Sequence, residues 1–288
     1  MKKSISFAAL IAAITLTFVA CDPNKQNNPT DPTDPAKQDT TNVDPSSYDA
    51  KDYVGTQWIT DSTLIEGEGL SPAPHAYIYV VSETEVEING WPCNYRIDSN
   101  ILYLHTEEET PIPLKIISAD KEHAALLWEG FQGDGADGLI HMTRVEEPQG
   151  DALPVTKENI AGKWRLMYSK SIETSLTNLD PEYEPYVIIH GMPGEEIYDF
   201  KADGSLVKTN SFDRIWDAQP ETGWWEVKND QLFFATGTPD YPAVKPDPIP
   251  ADWGVSVSTL TGNVMKTYKY ETFTDYSMEY INYFVRVK

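Results

Sequence analysis

Positive charge is scarce in this sequence: 22 Lys and Arg stand against 45 Asp and Glu, a formal charge of −23 over 288 residues. Such a surface repels phosphate backbones, so nucleic acid is not an expected partner. Histidine is scarce as well. The five, His75, His105, His123, His141 and His190, show no metal-ligand pairing, and no Gly-x-Ser-x-Gly elbow occurs. Asp199-Phe-Lys-Ala-Asp-Gly-Ser-Leu206 has the look of a calcium loop, but Lys201 stands at a ligating position and Asn210 where a bidentate Glu is needed, so it reads as a hairpin. The Gly- and Asp-rich stretch Phe131 to Leu139 reads as a turn. Carboxylate runs such as Glu195-Glu196 and Glu107-Glu108-Glu109 carry no glycosidase signal in so acidic a chain. These absences lead to the expectation of a protein with no catalytic residues, no metal and no cofactor.

Cysteine is limited to Cys21 and Cys93. Lys2 and Lys3 precede Ile5 to Ala20, an uncharged stretch shorter than the ~20 residues that span a bilayer, and the pattern is that of a signal peptide over residues 1–20. It ends Phe18-Val-Ala-Cys21, which resembles the lipobox of bacterial lipoproteins. The resemblance implies cleavage before Cys21 and lipid attached to it. Cys93 is then left without a partner, and nothing basic in Trp91-Pro-Cys-Asn-Tyr95 lowers its pKa, so it is expected to be a packed, unreactive strand residue. From Asp22 to Asp49 the chain is built of Pro, Asp, Asn, Thr, Gln and Ser, with Val43 its one branched aliphatic residue. Such a segment cannot bury enough surface to offset its ordering entropy, and residues 21–50 read as a disordered tether. Its acidic start resembles the export signals of surface-exposed lipoproteins of Gram-negative bacteria, which implies an outer-membrane anchor and points to the cell surface.

Beyond the tether the period is two. Segments 56–62, 75–81, 84–90, 94–106, 112–118, 124–130 and 139–145 alternate or run apolar in short β-branched and aromatic stretches, with no helix-length pattern between them. The second half has the same grammar with longer loops: 162–170, 195–210, 223–236, 254–271 and 279–288. Asp203-Gly204, Asn229-Asp230 and Gly262-Asn263 are its hairpin turns. Each half counts to about eight strands. Tyr95 to Leu104 lies on Trp225 to Phe234 without a gap, apolar on apolar and turn on turn. Tandem copies of one fold follow, at 51–146 and 158–288, joined by a Pro-rich linker at 147–157, with residues 237–252 an insertion in the second copy.

Short antiparallel strands with tight hairpins and no crossover helices suggest two tandem up-and-down β-barrels, since closure removes exposed edges; β-sandwiches are the alternative. Gly162-Lys-Trp164 at the start of the first strand, with Arg286 near the end of the last, resembles the lipocalin-like family. The first copy has Gly55-Thr-Gln-Trp58 and Arg144 in those places. The resemblance implies that Trp164 with Arg286, and Trp58 with Arg144, close one end of each barrel. The chain is also rich in Trp and Tyr, eight and sixteen. These either fill the barrels or, for Trp216, Trp224, Trp253 and Tyr241 near the long loops, form a ligand platform at a barrel mouth. The reading is a non-catalytic, lipid-anchored envelope protein that binds a small apolar or glycan-like ligand or another envelope protein. A polysaccharide-acting hydrolase or glycan-binding accessory protein, and a purely structural or inhibitory module, are the alternatives.

Overall fold

The computed structural model describes residues 48–65, 69–71, 76–105, 110–130, 137–177, 185–210 and 219–288. They form two antiparallel β-barrels and almost no helix. The first is built from β1 (Gln57–Ile65), β2 (Gly69–Ser71), β3 (Tyr77–Val80), β4 (Glu85–Ile88), β5 (Trp91–Asp98), β6 (Ile101–His105), β7 (Ile112–Ala119), β8 (His123–Trp128) and β9 (Gly138–Arg144). Neighbours in sequence are neighbours in space, and β1 pairs with β9 to close the ring, leaving the short β2 as a hairpin arm on the far half of β1. After the one-turn helix α1 (Lys157–Ile160), capped by Thr156, come β10 (Gly162–Ser175), β11 (Tyr186–Phe200), β12 (Ser205–Asn210), β13 (Glu221–Lys228), β14 (Gln231–Gly237), β15 (Val255–Leu260), β16 (Val264–Thr272) and β17 (Tyr276–Arg286). These eight close into the second barrel through β10 and β17.

Turn chemistry sets the registers. Asn229 and Asp230 both take positive φ, 53° and 58°, the primed turn whose twist suits a right-twisted hairpin, and Asn89-Gly90 does the same at 53° and 84°. The Asn89-Gly90 turn divides residues that alternate without a break in sequence, so β5 begins at Trp91, three residues before the expected strand at 94.

The two barrels share register at matched positions. Tyr95 faces Leu104 as Trp225 faces Phe234, and Trp58 faces Arg144 as Trp164 faces Arg286. Both first strands carry a bulge two residues past the Trp, between Thr60 and Ser62 and between Leu166 and Tyr168. A second shared bulge falls between Ile116 and Ser118 and between Val257 and Thr259. Bulges bend a strand at one chosen place, so their recurrence at matched positions marks two copies of one barrel.

An outward-facing cluster joins the barrels. Ile59, Tyr77 and Val145 of the first pack on Met167, Tyr168, Ile189 and Tyr283 of the second. Tyr168 stacks on Tyr283 with centroids 5.1 Å apart and meets Tyr77 at 5.0 Å. A Cβ at Gly191 would come within 2.9 Å of Ile59 Cγ2, so only glycine lets β11 approach β1 this closely. The Pro-rich segment expected to be a plain linker is held against the second barrel. Asn263 accepts from Gln149 N at 2.8 Å and donates to Glu147 O at 3.0 Å, while Leu153 donates to Leu260 O at 2.8 Å and packs on the core.

Candidate functional site

Each barrel is plugged at the end where its first strand starts, but by different chemistry. In the second, the Trp164 indole is fully buried and donates to Ile160 O at 2.7 Å, which fastens α1 under the lumen. The Arg286 guanidinium lies over that ring, Cζ 4.1 Å from the centroid, and donates to Ala161 O at 3.0 Å and Asn159 O at 2.5 Å. A Cβ at residue 162 would sit 2.9 Å from Nη1 of Arg286, so Gly162 makes room for the cation. In the first barrel Trp58 donates to Thr56 Oγ1 at 2.8 Å and is covered by Tyr53, from the 3-10 turn Ala50–Tyr53, at 6.2 Å between centroids. Arg144 is the register partner of Trp58, but its guanidinium is directed to Lys121 O, 3.5 Å away. A Cβ at Gly55 would meet nothing within 4 Å; that glycine serves its positive φ of 80°. The shared Gly-Trp-Arg pattern therefore performs two different closures.

The lumens differ more. Inside the first barrel is a cavity of about 120 Å³. Its walls are apolar throughout: Ile78, Val80, Val86, Ile88, Ile97, Leu102, Leu104, Leu114, Ile116, Ala124, Leu126 and Met142, with Trp58, Tyr53 and Tyr48 at the plugged end. The one wall tyrosine, Tyr95, turns its hydroxyl outward to Ser82 O at 3.0 Å. Such walls offer a water molecule no hydrogen-bond partners.

The matched level of the second barrel is solid. Tyr198, Phe200, Trp225, Phe234 and Phe284 interlock edge to face at 5.3–6.0 Å between centroids. The registers give the counterparts. Where the second barrel has Tyr198, Phe200, Leu206, Trp225, Phe234, Met265 and Phe284, the first has Ile78, Val80, Val86, Tyr95, Leu104, Ala124 and Met142. Every one of these is smaller in the first barrel. Three nearby pairs run the other way by about one methylene each (Ile97 for Val227, Leu114 for Val255, Ile116 for Val257), too little to refill the space.

Of the expected ligand platform, Tyr241, Trp224 and Trp253 lie among the described residues and stand apart. Tyr241 and Trp253 are exposed, at 82% and 47%, whereas Trp224 is buried at 7% under Lys245, whose Nζ lies 5.7 Å from its ring. Trp224 faces away from the lumen, since its neighbour Trp225 faces in, and the segment after β14 folds over it. Among the described residues no ring contact links Trp224, Trp253 and Tyr241. Trp216, Cys21, Glu107-Glu108-Glu109 and residues 131–136 lie outside the described residues. Cys93 is buried at 5%, its thiol directed to His105 O at 3.3 Å, and burial pushes its pKa up. Among the described residues no group of three or more His, Cys, Asp or Glu is placed to hold a metal ion.

One polar group that periodicity did not flag sits at the first bulge. Asp61 accepts from Thr143 Oγ1, with His123, His141 and Arg165 nearby, and burial raises its pKa against the pull of those partners. Its place in the other copy belongs to Met167. The only sequence signal was a charge breaking the apolar alternation after Trp58.

No family model matches the chain, and the search of curated proteins found no match. A solved structure similar to it is a protein with unknown function from the DUF3598 family of Nostoc punctiforme, 10% identical over 84% of this chain and 100% of its own, with a TM-score of 0.21. A likeness at that score bears on no functional question.

Proposed function

We propose that this protein is a non-catalytic binding protein of the bacterial envelope, anchored by lipid on Cys21, whose first barrel encloses a compact apolar ligand or the apolar tip of a larger one. The observation that carries the reading is the hollow first lumen beside its filled twin. At ~24 cal/mol per Å³, an empty cavity of about 120 Å³ costs about 3 kcal/mol of stability. The second copy shows that this fold can fill the same space with Phe, Trp and Met, so the loss is not imposed by the barrel. A small apolar guest would recover contacts that the smaller side chains forgo.

The end of the barrel at Tyr53 and Trp58 is plugged. Lipid on Cys21 would hold that binding unit at a membrane surface, with residues 22–49 as the leash. Titration calorimetry with toluene tests the ligand reading: saturable binding that Leu104→Phe with Met142→Phe abolishes is expected, and no heat of binding in the parent protein contradicts it. Metabolic labelling with a palmitate analogue, in wild type against Cys21→Ala, tests the anchor; a mature protein without label contradicts it.

A further inference from the structure

The second barrel is solid only in its plugged half. Beyond Tyr198 and Phe284 its lumen is more polar than the first: Lys208 stands in place of Ile88, Thr267 of Leu126 and Asn282 of Ile140, while Ser169 matches the buried Thr63. The wall there is also incomplete. β6 and β7 pair from Ile101–Lys115 through to Leu104–Ile112, but their counterparts β14 and β15 pair only at Gln231–Ser256 and Leu232–Val255. Residues 238–254, mostly the insertion, leave the wall here, and β15 starts too low to cover the upper half of β14. The result is a slot between β14 and β16. A groove of about 610 Å³ lies at this slot and a space of about 290 Å³ lies within the lumen. Lys269 and Glu271 line both.

We infer that this slot and the polar lumen behind it form a second binding site, for a neutral saccharide. Inside, Ser169 and Asn282 line the space with a hydroxyl and an amide, Asn282 accepting from Ser169 Oγ at 2.8 Å and donating to the buried Thr267 Oγ1 at 3.4 Å. The charges are already paired: Lys269 with Glu271 at 2.6 Å, and on the facing wall Lys208 with Glu196 at 3.5 Å and Glu221 at 3.6 Å. An anion therefore meets no uncompensated cation, and an apolar guest would strand these groups without partners. Sugar hydroxyls donate to carboxylates and accept from ammonium and amide groups, which suits this mixed lining. At the outer lip Tyr270 and Phe273 are exposed, at 53% and 41%, and Phe273 stacks on Tyr276 at 4.6 Å. Flat apolar faces beside hydrogen-bonding edges match a pyranose ring, which has one apolar face and a polar rim.

This site is separate from the apolar cavity, and the two stand or fall independently. The test is saturation-transfer NMR on the full chain with cellotetraose and with chitotetraose as probes. We expect transfer to the sugar ring protons from at least one of them, lost in Tyr270→Ala with Phe273→Ala, both exposed side chains whose removal spares the fold, and weakened in Glu271→Gln. Met142→Phe, which fills the first barrel, should leave the transfer unchanged. No transfer from either saccharide, or transfer that survives Tyr270→Ala with Phe273→Ala, overturns the inference without touching the toluene result.

Discussion

The two barrels share strand order, bulge positions and hairpin register, yet one lumen is empty where the other is packed with aromatic rings. The contrast separates what a barrel needs in order to close from what it needs in order to hold something. Closure depends on backbone pairing and a plugged end, and both copies have these although their Arg residues act differently. Content depends on side-chain volume at seven matched positions. Large-to-small changes in a rigid ring leave space because the strands, tied on both sides, cannot collapse inward.

The largest effect expected from breaking this comparison comes from the plug of the filled barrel. Trp164→Ala removes a fully buried indole and its bond to Ile160 O, and should cost about 3–5 kcal/mol by urea unfolding. Retention of wild-type stability would mean that the plug is not part of the second core. Next comes the attempt to make the first lumen resemble the second. Leu104→Phe with Met142→Phe should raise stability, with a ceiling of about 3 kcal/mol if the whole space of about 120 Å³ were filled. A loss of about 1–3 kcal/mol would instead indicate overpacking and a lumen with no room.

The two closing arginines offer a sharper contrast. Arg286→Lys keeps the charge but loses the stacked guanidinium and one of two carbonyl bonds, and should cost about 0.5–2 kcal/mol. Arg144→Lys should change stability by less than about 0.5 kcal/mol, because its one long contact is exposed. Equal effects would show that the two closures are alike after all.

The smallest effect depends on pH. Burial holds the folded pKa of Asp61 above its ordinary 3.8, so the folded state takes up a proton more readily than the unfolded chain. Its contribution is complete below 3.8 and is lost as pH rises through the raised folded value. Asp61→Asn should therefore unfold at higher urea than wild type near about pH 7, and at nearly the same urea near about pH 3. An identical gain at both pH values would contradict the buried-carboxylate account.

Much of the fold was legible in the residues. The gapless match of Tyr95 to Leu104 with Trp225 to Phe234 is a statement about register, and register follows from the period of two and from turns such as Asn229-Asp230. Trp164 and Arg286 could be brought together by closure alone, since first and last strands of an antiparallel ring are neighbours. The hollow lumen was harder to see. An alternation pattern scores Leu104 and Phe234 alike, and only the pairing across strands shows that the small residues gather at one level. The barrel interface was hidden for a related reason: Tyr77, Tyr168 and Tyr283 occupy outward positions that an isolated barrel would leave in water. Trp224 misled because proximity to a long loop in sequence does not say whether the loop exposes it or covers it.

Xenon tests the hollow-and-filled contrast most directly, being apolar, uncharged and small enough for the cavity. In crystals of the protein pressurised with xenon, one atom is predicted within the first barrel, among Leu102, Leu104, Ala124 and Met142, and none among Phe200, Trp225 and Phe284 of the second. Xenon density inside the second core, or an unoccupied first lumen, would contradict the contrast between a hollow first barrel and a filled second one.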